Sequence, residues 1–234
     1  MLQILYEDNH CLAVNKPAGL LTQGDSTGEP TLLDAARAYL KEKYAKPGKV
    51  FLGLVHRLDQ TTSGVVVLAR TSKGASRLSS QFRAGTIEKT YWAVVEGDIA
   101  DDEGEWTDSL LKDEERNVVE VVREGTPGSH SAALAYRVLE RGRKGCWLEV
   151  KPVTGRSHQI RVQLASRGHP IAGDRKYGAR SVVKALDGRL RIALHAYRLT
   201  FNHPTGRGEI SVTAEAPADW PWLSTERTPA ESPG

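Results

Sequence analysis

The sequence is poor in the residues that mark special environments. It holds two cysteines, one methionine and three phenylalanines in 234 residues. It also has no apolar stretch approaching the roughly 18 residues a membrane-spanning helix needs, so no membrane partner is expected. Cys11 and Cys146 lie far apart, each beside an apolar run (Leu12-Ala13-Val14 and Trp147-Leu148). That excludes a disulfide framework and fits buried, reduced thiols in a cytoplasmic protein. The opening Met1-Leu2-Gln3-Ile4-Leu5-Tyr6-Glu7-Asp8 lacks the basic and long apolar parts of a signal peptide. His56, His158, His169, His195 and His203 form no His-x-x-x-His or Cys/His cluster, and no carboxylate set suits a hard cation. No metal and no cofactor are therefore expected.

What is present describes a globular chain, 39% hydrophobic and 26% charged, with length enough for one sizeable core. Its net charge of +3 is modest but unevenly spread. From Arg137 to Arg180 there are 11 Lys/Arg against three acids; from Glu96 to Glu115 there are 10 acids against one lysine. This predicts a positive field on one part of the fold and a solvated acidic part elsewhere, and favours an anionic partner.

Strands are expected at Ile4 to Tyr6, Cys11 to Val14, Val65 to Ala69, Lys89 to Val95, Val118 to Val122, Ala132 to Leu139, Cys146 to Val150, Leu194 to Phe201 and Ile210 to Ala214. Helices are expected at Thr31 to Tyr44, from Thr71 or Ser72 to about Gly85, and at Ser157 to Ala165. The stretch from Glu96 to Glu115 reads as an acidic, glycine-containing excursion. This pattern is α+β, without the regular alternation of a doubly wound sheet. No repeat or linker divides it, so residues 1–217 read as one catalytic domain. Residues 218–234 read as a tail, flexible toward its end and pinned at its start by Trp220 and Trp222.

Chemistry concentrates in two segments. Val55-His56-Arg57-Leu58-Asp59-Gln60-Thr61-Thr62-Ser63-Gly64 sets one acid beside one arginine, just before an apolar strand. Thr154-Gly155-Arg156-Ser157-His158-Gln159-Ile160-Arg161 adds two guanidiniums with no nearby acid. By itself Asp59 reads as a turn residue. A carboxylate approached by Arg57 and Arg161, however, is favoured in its ionised form, which suits a nucleophile better than a proton donor. A glycoside hydrolase would need a second opposed carboxylate, and none stands in this motif.

These segments, with Lys16-Pro17-Ala18-Gly19-Leu20, Lys89-Thr90-Tyr91-Trp92 and Gly168-His169-Pro170, resemble the RluA-like family of RNA pseudouridine synthases from about Ile4 to Pro217. The resemblance implies a mixed, mostly antiparallel sheet flanked by helices, with a central RNA-binding cleft. It implies isomerisation of uridine within large-subunit rRNA or tRNA, the target base being flipped out of its stack, without cofactor and without DNA as a partner. Asp59 would then be the acting carboxylate, by attack on the base or by a route centred on the sugar. Arg161 would pair with it, Tyr91 would stack on the flipped uracil, and Arg57 would fill the space the base leaves.

Arg156 and His158 look like phosphate contact or loop support, His56 like support, and Arg143 and Lys144, in the basic turn Arg141 to Gly145, like RNA-backbone contacts. Asp174 reads as a loop brace or RNA-facing surface, and Trp92 as core. The family usually has His after Ile-Arg-Val, where this chain has Gln163, a change expected to touch RNA contacts or local packing. With no S4-type RNA-binding domain expected, target choice would come from the domain's own loops, acting as a monomer. The competing reading is a non-catalytic RNA-binding protein, which would need neither Asp59 nor Tyr91.

Overall fold

The chain begins as an antiparallel pair, β1 (Gln3–Glu7) and β2 (Cys11–Lys16). Asp8 closes their turn by accepting from the backbone N–H groups of His10 and Cys11. The structure is a computed structural model that describes residues 2–24, 28–45, 47–185 and 187–222. Helix α1 (Leu32–Lys43) follows. The Thr31 hydroxyl caps it by accepting from Asp34 N–H, and one face buries Leu32, Ala36 and Leu40. A short β3 (Gly53–Leu54) leads to β4 (Ser63–Ala69), and then to α2 (Ser72–Ala84). Thr71 caps α2, and Gly85 ends it with φ +70°.

Beyond α2 run β5 (Glu88–Glu96), β6 (Glu103–Asp113), β7 (Val118–Val122), β8 (His130–Arg141) and β9 (Gly145–Pro152). After α3 (Gln159–Ala165) come the small hairpin β10 (Val183–Lys184) and β11 (Leu190–Arg191), the long β12 (Leu194–Asn202) and β13 (Glu209–Thr213). Eleven strands form one sheet with path β1-β2-β4-β12-β5-β9-β8-β6-β7, β3 pairing β4 and β13 pairing β12. Only the β4–β12 pair is parallel within it, so the sheet is mixed and mostly antiparallel, as expected for the α+β class.

Period-two alternation explains why β2 and β4 are apolar throughout. Leu12, Val14, Val66 and Leu68 pack with α1 on one face; Cys11, Ala13, Val65, Val67 and Ala69 pack with Leu78 of α2 on the other. Each such buried Val or Leu stabilises the fold by roughly 1.5–3 kcal/mol. Both cysteines are free and buried, and burial pushes the Cys11 thiol up to about 12.

Two expectations are corrected. The acidic stretch is not an excursion. Most of it is β6, where Glu103, Glu105 and Thr107 face outward while the alternate residues turn inward, and β6 pairs with β7 and β8. Nor do the two charge blocks separate. Arg141 bonds Asp98 and Asp102, and Arg167 bonds Asp108, so the two blocks meet and two arginines of the basic one are neutralised by the acidic one. The expected tail begins in the core, with Trp220 fully buried; residues 223–234, where flexibility is expected, lie outside the described residues.

Candidate active site

The loop between β3 and β4 carries Asp59, and three anchors stiffen it. Thr22 exchanges hydrogen bonds with the backbone of Leu58, its hydroxyl donating to the carbonyl at 2.8 Å. His56 Nε2 accepts from Val67 N–H at 2.9 Å, and its ring stacks on Phe82. Burial pulls the His56 imidazole down to about 3, so it is a neutral acceptor inside the fold. The third anchor is Lys16, fully buried at the end of β2, whose ammonium donates to the carbonyls of Pro17, Leu20 and Gln60 at 2.7–3.0 Å. Burial lowers Lys16 to about 7, against the opposing charge of Asp59.

The partner of Asp59 comes from 102 residues away. Arg161, on α3, donates from Nη1 to Asp59 Oδ2 at 2.8 Å. Its Nε and Nη2 donate to the two oxygens of Asp174 at 2.7 and 2.9 Å. Arg161 is 6% exposed and Asp174 1% exposed. Burial opposes the guanidinium charge, but the hydrogen bonds and charge of Asp174, then those of Asp59, raise its pKa and keep it cationic. The segment, which has no acid of its own, thus gains a second carboxylate, Asp174, beside the Asp59 that Arg161 was expected to meet. Asp174 is the brace, and its burial excludes an RNA-facing role.

Tyr91, in β5, lines the same pocket as Asp59 and Arg161, together with Arg57, Thr62 and Lys89. Burial, then the charge of Asp59, raises the Tyr91 phenol above its ordinary range, so it stays neutral. Trp92 turns to the other face of the sheet, stacked on Tyr197 with ring centroids 3.8 Å apart. Around the mouth, Arg57, Arg156 and Lys176 are exposed, which gives the pocket a cationic rim. A pocket holding one carboxylate, one neutral phenol and a basic rim suits a single covalent step on a polyanion.

A family model described as RNA pseudouridylate synthase matches residues 10–166, most of the chain and both motifs that build this pocket. The chain belongs to the RNA pseudouridylate synthase family. It is 38% identical over 224 residues to ribosomal large subunit pseudouridine synthase C of Escherichia coli strain K12, covering 92% of this chain and 66% of that one. It is 36% identical over 220 residues to the protein of the same name in Vibrio vulnificus, covering 90% of this chain and 64% of that one. The chain therefore spans just under two thirds of these relatives. Among solved structures, human RNA pseudouridylate synthase domain containing 4 superposes with TM-score 0.77 at 25% identity, covering 93% of this chain and 90% of that one.

In this pseudouridylate synthase fold the remaining residues singled out from sequence fall into three places. Arg57, Arg156 and His158 stand at the pocket, Arg156 donating from Nε to the carbonyl of Ser131. His56 supports the loop from behind. Arg143 and Lys144 are not brought there: they sit in the β8–β9 turn, at the far end of β9 from the pocket, about 25 Å along an eight-residue strand. Gln163 is fully buried and donates to Asp108 Oδ2 at 2.7 Å and to the Ala132 carbonyl, so its departure from the family pattern concerns packing and not RNA contact.

Sequence reading missed the long-range partners of Lys16 and Asp174. It also missed a cluster of Asp8, Cys11 and His203. The Asp8 oxygens there are already engaged by two backbone N–H groups and, at 2.6 Å, by His203 Nε2, so the cluster ties β1, β2 and the end of β12 together.

Proposed function

We propose that the protein is an RNA pseudouridine synthase acting on uridine in large-subunit rRNA or tRNA, with residues 1–217 as its catalytic domain. The observation that carries this reading is the state of Asp59. One oxygen is held by Arg161, while the other has no hydrogen-bond partner among the described residues, and Asp59 lines the same pocket as Tyr91. In the reaction the bond from C1′ to N1 of uracil breaks and one to C5 forms, C5 giving up a proton and N1 gaining one. No co-reactant is consumed, so the protein has to supply a held carboxylate, a platform for the turning base and exclusion of water.

Asp59 acts at the base or the sugar, Arg161 orients it, and Tyr91 stacks on the extruded uracil. Arg57, exposed beside the aspartate, enters the gap the base leaves in the RNA, and Arg156 contacts phosphate. Arg143 and Lys144 contact RNA backbone only on a substrate long enough to reach the β8–β9 turn. The names of the relatives support rRNA as the first substrate to test; tRNA, a cytoplasmic setting and a monomeric state belong to the same reading. In the described residues no helix is long and apolar enough to cross a membrane.

The test is site-resolved pseudouridine mapping on unmodified RNA incubated with the pure protein, beside the Asp59→Asn variant. New pseudouridine at one or a few positions, absent with the variant, is the expected result. Full turnover by the folded variant would overturn the role of Asp59. RNA binding without turnover by the unaltered protein, on free rRNA, tRNA and precursor particles alike, would favour a binding role.

A further inference from the structure

Two donors converge on the same oxygen of Asp59. Arg161 Nη1 lies 2.8 Å from Oδ2, and Nε2 of His158 lies 3.8 Å from that atom. His158 reaches this place in an unusual backbone state: it precedes α3 with φ +50°, a left-handed conformation that costs a side-chain-bearing residue on the order of 1 kcal/mol. That conformation also starts α3 two residues later than its apolar periodicity predicts.

The imidazole is fixed from its other side. His158 Nδ1 is 2.7 Å from the Tyr177 hydroxyl, and that hydroxyl accepts from Val119 N–H at 3.0 Å. Tyr177 has one proton to give, and among the described residues His158 Nδ1 is its one acceptor. A neutral imidazole that accepts at Nδ1 carries its proton on Nε2, the nitrogen aimed at Asp59. The opposite tautomer would set a lone pair against the carboxylate and leave the phenol proton without an acceptor. Burial, with Arg161 and Lys176 nearby, disfavours the charged ring, against the opposing influence of Asp59 and Asp174.

We propose that His158 is a positioning residue for Asp59: held as the Nε2–H tautomer by Tyr177, it closes on Oδ2 beside Arg161 when RNA fills the pocket, and so aims Oδ1 at the nucleoside being rearranged. This rests on the synthase reading given above. A carboxylate held by one N–H on one oxygen can still swing about its Cβ–Cγ bond. A second donor on that oxygen, arriving from another direction, restricts the swing, and displacing a reacting atom by about 1 Å can cost on the order of 100-fold in rate.

The experiment compares the full chain with His158→Ala, His158→Gln and Tyr177→Phe on an unmodified large-subunit rRNA transcript. Single-turnover pseudouridine formation, RNA affinity and thermal melting are read for each. His158→Ala is expected to slow the single-turnover rate by about 30-fold with RNA affinity within about threefold. His158→Gln, whose amide nitrogen replaces the Nε2 donor, should recover much of the rate. Tyr177→Phe should slow it less.

An unchanged rate in His158→Ala would overturn the proposal. So would a rate loss matched by lost RNA affinity, or one that Gln does not rescue. The tautomer is read separately, without turnover, from imidazole nitrogen–proton correlations of labelled protein: Nε2–H in the unaltered chain, with the preference lost in Tyr177→Phe. An Nδ1–H form in the unaltered chain would overturn the clamp even if the protein is active. Failure of the unaltered protein to form pseudouridine on free rRNA, tRNA and precursor particles alike, with the Nε2–H form present, would overturn the synthase reading and, with it, a role for His158 in that reaction.

Discussion

At the scale of the residue, the site is one buried cation shared by two carboxylates. Arg161 meets Asp174 through two parallel N–H groups and Asp59 through a third, a set that only a planar guanidinium can supply at once. Arg161→Lys keeps the charge but loses that fork, leaving Asp174 under-bonded in a site where it is 1% exposed. We expect the variant to lose roughly 3 kcal/mol of stability and at least about 100-fold in pseudouridine formation, measured by urea unfolding and by turnover on rRNA. Unchanged stability would mean that the Asp174 pair is replaceable. Asp59, Tyr91 and Arg161 were legible in the sequence because their motifs are local and distinctive. Asp174 was legible only as one of two alternatives, a loop brace, and Lys16 not at all, because their meaning depends on partners 13 and 44 residues away and on complete burial, which short-range pattern does not report. Gln163 was visible only as a departure; its bond to Asp108 on β6 tells that it packs.

At the scale of the element, the Asp59 loop is placed by where β4 starts, and the second residue of β4 is a glycine for a steric reason. Gly64 has φ +118°, and a Cβ there would lie 2.3 Å from the carbonyl oxygen of Ala196 on the parallel neighbour β12. That oxygen belongs to backbone and cannot swing aside. Gly64→Ala should therefore separate β4 from β12 or twist the loop, costing about 3 kcal/mol or more and lowering activity with it. A melting temperature within a degree or two of the unaltered chain would refute this packing account. The capped elements were the readable ones: α1 and α2 announce themselves by Thr31, Thr71 and Gly85, β2 by its apolar run and β4 by its β-branched run. β6 was unreadable because its exposed face is so acidic that charge masked the alternation.

At the scale of the whole molecule, the acid stability of the fold should be set first by histidines that it buries neutral. His195 is fully buried at the centre of the sheet, its Nδ1 on the Ser63 hydroxyl and its Nε2 on the Ala214 carbonyl, with Arg191 and the Trp220 ring beside it. Burial pulls it down to about 4; the Ala214 bond opposes this and Arg191 adds to it. An unfolded chain binds a proton at this histidine near pH 6.5, whereas the folded chain does so only near pH 4. Its contribution is thus fully present above about pH 6.5 and is lost as pH falls toward 4, by about 3 kcal/mol in all. His56, pulled down to about 3, acts in the same direction and extends the window lower. Glu7, held down to about 2 by Lys43, Tyr44 and Tyr39 against its burial, adds its loss only as pH falls from about 4.5. Urea unfolding at successive pH values should therefore show stability declining already between pH 6.5 and 4.5, before any carboxylate is titrated. His195 also joins the first residue of β4 to the C-terminal end of the sheet through Ser63 and Ala214. The Asp59 loop should consequently loosen along with the fold in this window, and the single-turnover rate should fall with stability there. A flat stability curve from pH 7 to 4.5 would show that His195 is protonated within the fold and that its bonds rearrange to accept the charge.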